Sequence, residues 1–141
     1  MRKFFKRAGL ALVVILIANQ FIPVDKSNPP EHGAAAAPAE VQALLRRACF
    51  DCHSNETLWP WYAQIAPASL VIAQDVKKGR KEVNFSAWEK YDERRKARKL
   101  KEIAKQVEKG GMPLFYYLPL HPAAKLSPIE RDQIVKWAKQ S

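Results

Sequence analysis

Residues 49–53 read Cys-Phe-Asp-Cys-His, and this pentapeptide decides how the fold around it is interpreted. Cys-x-x-Cys-His is the attachment signature of a c-type haem. The two thiols are spaced to form thioethers with the two vinyl groups on one edge of a porphyrin. The imidazole that follows suits iron as a proximal ligand. We therefore expect one covalently attached haem c, with Cys49 and Cys52 holding the ring and His53 holding the iron.

The cysteine pair has three other interpretations. A thioredoxin-like redox pair needs a strand–helix–strand context, which the sequence does not show. A zinc site built on cysteines needs more of them, and the chain has only two. A structural disulfide is compatible with an oxidising compartment and is left open by the pentapeptide alone.

A haem held by one histidine needs a sixth ligand or an open site. Apart from the first residue, the chain has one methionine, Met112, within Gly110-Gly111-Met112-Pro113. Met is the usual partner of His in electron-transfer cytochromes and raises the potential. The flanking glycines and proline predict a loop, so we expect Met112 to be an iron ligand. A core methionine and bis-histidine ligation through His121 are the alternatives.

Aromatic residues follow both candidate ligands. Trp59, Trp61 and Tyr62 lie shortly after the attachment site, and Tyr116 and Tyr117 follow Met112. A porphyrin buries a large flat apolar surface, which aromatic rings cover efficiently. We expect these side chains to line a haem pocket, although any single one could be an ordinary core residue.

The N-terminus has the pattern of a membrane-targeting segment. Residues 1–7 are basic, residues 8–18 are an unbroken apolar run, and Phe21-Ile22-Pro23-Val24 follows. A basic flank before a short apolar run is typical of a signal peptide, and residues 8–24 are near the lower length limit of a spanning helix. We predict residues 1–24 to be a transmembrane anchor, with a cleaved signal segment as the alternative and a buried core helix as the least favoured one. Both favoured interpretations place the remaining chain on the periplasmic or extracytoplasmic side.

The rest of the chain divides into a linker and one all-α domain. Residues 25–39 are rich in Pro and Ala, show no periodicity and are expected to form a spacer. Residues 38–141 predict four helices: one from residue 38 to Cys49, a second over about 68–78 ending at Gly79, a third from Ser86 to Lys109, and a fourth from Ser127. The first has one apolar face, formed by Val41, Leu44, Leu45 and Ala48. Ser86 with Glu89 and Ser127 with Glu130 have the spacing of N-terminal caps, and Ile129 is expected on the apolar side of the fourth helix. No segment predicts a strand. The apolar fraction of 48% and four Trp argue against disorder.

The net charge of +10 is unevenly distributed. Four basic residues precede residue 8, and residues 77–109 hold 13 basic and six acidic residues. This stretch has three interpretations: a solvated helix face, a docking face for an acidic redox partner, or an attraction to anionic lipid. Nucleic acid is not expected as a partner outside the cytoplasm.

The order of several motifs resembles the small bacterial haem-binding-domain family of c-type cytochrome-like proteins. The motifs are the block 49–62, Gly79-Arg80, the run 84–88, Met112-Pro113 with Tyr116-Tyr117, and the stretch 120–127. The resemblance covers roughly residues 40–141 and includes residues 20–25 of the N-terminal segment. It implies a class I cytochrome c-like helical fold, covalent haem, His53 as proximal ligand and Met112 as distal ligand. This chain has Leu70 and Gln74 where members of the family often carry an aromatic residue and a His.

The function expected from these observations is single-electron transfer by a membrane-anchored monohaem cytochrome c-like protein, with no catalysis of its own. A haem-based sensor or ligand-binding module is the alternative, and it would need Met112 to be absent from the iron or easily displaced. A peroxidase would need an open distal site with an acid–base residue. Only His121 lies near Met112 in the sequence.

Overall fold

The computed structural model describes all 141 residues and consists of helices and short 3₁₀ turns without a strand. The prediction of an all-α protein is therefore confirmed. The helices are α1 Arg2–Asn19, α2 Ala39–Ala48, α3 Phe50–His53, α4 Ala68–Glu82, α5 Glu93–Glu108 and α6 Pro128–Gln140.

One hydrophobic core holds α2, α3, α5 and α6 together. Helix α2 buries the side predicted for it: Val41, Leu44, Leu45 and Ala48 recur at helical spacing and face inward. Helices α5 and α6 pack against each other, and Leu45, Phe85 and Ile134 are the largest fully buried apolar side chains. Helix α6 begins at the capping box predicted from Ser127, with Glu130 completing it. Ile129, predicted on its apolar side, is instead exposed.

Two predicted helix boundaries are wrong. Helix α4 continues through Gly79 to Glu82, because this glycine is a packing position within the helix and not a stop. The third helix begins at Glu93, with the Asp92 carboxylate accepting from the amide of Arg95. The predicted cap, Ser86, lies in a 3₁₀ turn, and its hydroxyl accepts a hydrogen bond from the backbone of Asn55 instead.

The segment 25–39, expected to be a spacer, lies against the domain. The amide of His32 donates to the carbonyl of Ser86 at 2.6 Å, and the amide of Trp88 donates to the carbonyl of Gly33 at 3.1 Å. Ala35 is buried, and the indole of Trp137 donates to the carbonyl of Ala36 at 3.2 Å. These bonds fix the path of the segment across the helices.

Helix α1 is exposed along its length. No helix of the protein is long and apolar enough to span a membrane, so the expected transmembrane anchor is not supported. The first six residues of α1 include four basic ones. The apolar run that remains, residues 8–18, is about 17 Å long as a helix, against a hydrocarbon core of about 30 Å.

Candidate functional site

The junction between α2 and α3 presents the Cys-x-x-Cys-His motif. Cys49 ends α2 and begins α3, and its carbonyl accepts the amide of His53 at 2.9 Å. Phe50 turns into the core and stacks on Phe85 with ring centroids 5.4 Å apart. One side of this short helix is thereby anchored in the core, and the other side carries the motif.

Cys49, Cys52 and His53 lie on one large cavity of about 1050 Å³. This volume is at the upper end of the range for small-molecule and cofactor sites, about 300–1,000 Å³. Met112 lines the same cavity, although it lies 59 positions after His53 in the sequence. The structure thus brings both predicted iron ligands and both predicted attachment cysteines to one site.

The imidazole of His53 is held by two backbone carbonyls. Its Nδ1 lies 2.9 Å from the carbonyl oxygen of Gly79 and 3.1 Å from that of Val83. Because a carbonyl only accepts, Nδ1 must carry the proton, and in the neutral ring Nε2 keeps its lone pair. Burial lowers the pKa of His53, which favours this neutral form. A neutral imidazole with an engaged Nδ1–H is the usual state of a histidine metal ligand.

The two thiols are protonated and are not bonded to each other. Burial raises the pKa of Cys49 to about 12 and that of Cys52 to about 12. Catalytic Cys-x-x-Cys pairs instead have a lowered thiol pKa, because the thiolate is the nucleophile. The thioredoxin-like interpretation is therefore disfavoured by electrostatics as well as by fold.

Gly79 allows α4 to pack directly on α3, the short helix that carries Cys52 and His53. A Cβ atom at this position would overlap the carbonyl oxygen of Cys52 and would lie 3.2 Å from its Cβ. The close approach also brings the carbonyl of Gly79 to His53. Sequence reasoning assigned Gly79 to a helix end, so its role in the site was missed.

The C-terminal end of α5 positions Met112. The amide of Gly111 donates to the carbonyl of Gln106, and the amide of Gly110 donates to that of Val107, which is the Schellman arrangement. Gly110 has a φ of +71°, which a residue with a Cβ adopts only with strain. The chain therefore turns away from α5 just before Met112.

Arg131 of α6 fixes the start of the Met112 loop. Its guanidinium donates to the carbonyls of Val107 and Met112, each at 3.1 Å. The loop that carries the predicted sixth ligand is thus tied to both the end of α5 and the last helix.

The predicted aromatic residues divide into two groups. Tyr116 and Tyr117 line the cavity, and the Tyr117 hydroxyl donates to Asp51 at 2.7 Å. Trp59, Trp61 and Tyr62 do not line it. Trp61 and Tyr62 instead border a separate, shallow apolar depression.

His121, the rival sixth ligand, also lies outside the lining of the cavity. Its ring stacks on Tyr117 with centroids 3.8 Å apart, and its Nε2 lies 3.1 Å from the hydroxyl of Tyr62. The stacking partner Tyr117 therefore lies between the cavity and the ring of His121.

The rim of the cavity carries charges of both signs. The basic residues are Lys78, Arg95, Arg98 and Lys99, and the acidic ones are Asp51, Asp75, Glu82, Asp92 and Glu102. None of the four basic side chains forms an ion pair. Helix α5 supplies three of the four, and its Ile103 and Val107 line the cavity between the charged rim and the core.

Arg80 joins the segment after the motif to residues 25–39. Its guanidinium donates to the carbonyls of Ser54 and Ser27 and to the side chains of Asn28 and Thr57, at 2.8–2.9 Å. The bond to Ser54 supports the backbone directly after His53. The pair Gly79-Arg80 was recognisable in the sequence as a motif, but nothing local indicated these contacts.

The chain matches the model of the haem-binding domain family over residues 14–140. It belongs to the haem-binding domain family. No match was found among curated proteins or among solved structures.

The residues present fit the haem that this family binds. The cavity offers the neutral imidazole of His53, with a free Nε2, and the side-chain sulfur of Met112. Both are established ligand types for haem iron. Its inner wall includes Val83, Phe85, Ile103 and Val107, so it can cover the apolar faces of a porphyrin. The unpaired basic side chains of the rim suit the carboxylates of the porphyrin edge.

Proposed function

We propose that this member of the haem-binding domain family is a monohaem c-type cytochrome-like protein that transfers single electrons. Cys49 and Cys52 would carry the thioethers, His53 would be the proximal ligand, and Met112 would be the distal one. The haem supplies the chemistry, which is the one-electron change between ferrous and ferric iron. The protein contributes ligand choice and burial, which set the potential.

One observation carries the proposal: a single cavity brings together both cysteines of the motif, the His53 ring with Nδ1 already occupied, and Met112. Thiols on the same short helix as the histidine are suited to covalent attachment. The all-helical architecture is compatible with the class I cytochrome c-like fold implied by the sequence resemblance.

The fixed position of the Met112 loop supports the proposal of electron transfer over that of sensing. The loop is fixed by the end of α5 and by Arg131. With Met112 as a sixth ligand held in this way, no coordination position would be open. The protein would then have no vacant site for a diatomic gas or a peroxide, and it would catalyse no reaction of its own.

The basic rim supports an acidic redox protein as the partner. Arg95, Arg98 and Lys78 lie at the cavity edge without ion pairs, where charge complementarity would steer encounter and raise the association rate. The location would be outside the cytoplasm, because c-type attachment takes place there and the basic and apolar N-terminal segment fits an exported chain.

Covalent attachment is tested by a pyridine haemochrome spectrum recorded before and after acid–acetone extraction. The chain is expressed with an export signal and the haem-attachment machinery. Haem retained in the protein with a c-type spectrum is expected. The double variant Cys49→Ser with Cys52→Ser should lose haem to the extract. Extractable haem in the unaltered protein would contradict the covalent proposal, and a haem-free protein would contradict the haem site itself.

Ligation is tested by adding carbon monoxide to the ferrous protein. No binding is expected if Met112 holds the sixth position firmly. Rapid binding would contradict the electron-transfer proposal and would favour the sensor.

A further inference from the structure

A group of exposed apolar side chains lies outside the haem cavity and beside the end of α1. Trp61, Ile65, Val71 and Leu120 border the shallow depression noted above, and we call these four residues the apolar shelf. They are 76%, 50%, 52% and 64% exposed. Contiguous exposed apolar surface of this kind marks an interaction site more often than isolated exposed residues do.

The apolar shelf is physically joined to α1. The side-chain amide of Gln20, at the end of α1, donates to the carbonyl of Ala66 and accepts from its amide, both at 3.0 Å. Ala66 itself borders the depression. Phe21, 81% exposed, follows directly. The unpartnered apolar side chains of α1 and the shelf therefore meet at one fixed point.

The charged residues of α1 are all basic. Arg2, Lys3, Lys6 and Arg7 lie in its first two turns, about 20 Å or more along the helix from Gln20, and no acidic residue precedes Asp25. Lys26 is held nearby, with its ammonium group donating to the side chain of Gln64. Two copies of the chain meeting through α1 would bring like charges together, whereas an anionic lipid surface would neutralise them.

From this arrangement we propose that the apolar shelf is a lipid-contact face that rests on an anionic membrane surface beside α1. Basic residues next to exposed apolar ones fit the boundary between lipid headgroups and acyl chains. An exposed tryptophan at the edge of such a face suits the same boundary, because its ring is apolar and its N–H is polar. This inference goes beyond the proposed electron transfer and does not depend on how the haem is bound.

The lipid contact would fix the height of the haem site above the membrane. Helix α4 contributes Val71 and Ile72 to the depression and Asp75, Lys78 and Gly79 to the haem cavity. Ile72 and Gly79 are seven residues apart, which is about 10 Å along a helix. The lipid contact and the cavity would thus lie about 10 Å apart along α4.

The test is photo-crosslinking of the full-length, haem-loaded protein to vesicles of phosphatidylcholine and phosphatidylglycerol that contain an acyl-chain diazirine lipid. Mass spectrometry should find lipid adducts on α1 and also on residues 61–72 or Leu120, with none on α6. Adducts confined to α1, or adducts spread evenly over the surface, would overturn the proposal. The result does not depend on the haemochrome spectrum, so failure here is distinguishable from failure of the proposed function.

A matched pair of variants adds a quantitative test. Leu120→Ser should weaken vesicle binding roughly fivefold to tenfold, as expected when most of one leucine side chain no longer enters the lipid. Ile129→Ser removes an apolar side chain of α6 that is somewhat more exposed, at 74%, and should leave binding unchanged. Equal losses in both variants would overturn the assignment of this face.

Two further controls address other occupants of the shelf. Binding to pure phosphatidylcholine should be weaker than binding to the anionic mixture, and equal binding would overturn the charge argument. A stable dimer without vesicles that Leu120→Ser abolishes would also overturn the proposal, and it would assign the shelf to a second copy of the chain.

Discussion

Replacing Gly79 with alanine tests the packing that builds the candidate haem site. At an unobstructed helical position, Gly→Ala stabilises a protein by up to about 1 kcal/mol, because alanine loses less backbone entropy. At Gly79 the new Cβ would overlap the carbonyl oxygen of Cys52. Helix α4 or helix α3 must therefore move. Alanine at Gly79 should thus lower the free energy of unfolding instead of raising it.

The magnitude follows from three effects. Overpacking costs about 1–3 kcal/mol, and disturbing the bond from His53 Nδ1 to the Gly79 carbonyl costs about 1 kcal/mol. The helix-propensity gain offsets about 1 kcal/mol. The net destabilisation is about 1–3 kcal/mol, which lowers Tm by roughly 4–12 °C in a domain of this size.

The assay is thermal unfolding followed by circular dichroism, together with the haem content per chain. Gly79→Ala should lower both Tm and haem content, because the shift reaches Cys52 and His53. Gly9→Ala is the matched control, since nothing lies within 4 Å of a Cβ at that helical position. It should leave the haem content unchanged and should not lower Tm. A Gly79→Ala protein as stable as the unaltered one, with full haem content, would refute the packing argument.

Three further predictions concern the ligands and their support. Burial lowers the pKa of His53 below its usual 6.5, so the folded haem-free protein binds fewer protons than the unfolded chain. Its free energy of unfolding, measured by urea titration, should be constant well above pH 6.5 and should fall as the pH drops below that value. His53→Gln should make this pH dependence weaker. Met112→Ala should lower the reduction potential and admit carbon monoxide, whereas His121→Ala, outside the cavity lining, should do neither. The reverse result would make His121 the sixth ligand. Arg80→Ala should destabilise by about 2 kcal/mol in urea unfolding, because the carbonyl of Ser54 loses its donor. Arg94→Ala, an exposed cation on α5, is the control and should have no effect; equal losses in both variants would argue against the Arg80 contacts.

Much of the site was predictable, because its chemistry is encoded locally. The spacing of Cys49, Cys52 and His53 already predicts attachment and proximal ligation. Gly-Gly before Met112 predicts a loop, and the structure shows how that loop begins at the end of α5. Helical periodicity predicted the buried face of α2, and the capping box predicted the start of α6.

The errors arise where a distant contact overrides a local signal. Ser86 has the spacing of a capping box, but its hydroxyl accepts a hydrogen bond from the backbone amide of Asn55. Gly79 resembles a helix stop, yet it is a contact point for Cys52. Trp61 and Tyr62 lie near the motif in sequence, but the 3₁₀ turn that carries them borders a different depression.

The sequence by itself therefore determined the helical class, the attachment motif and the two candidate iron ligands, because residue type and short spacing specify each of them. Only the tertiary structure decided which aromatic residues border the haem cavity, which histidine lies outside its lining, and which carbonyls orient the ring of His53. Those features depend on helices that are distant in the chain and meet at specific points. The meeting points are set by steric fit, such as that of Gly79 on Cys52, and no local pattern records such a fit.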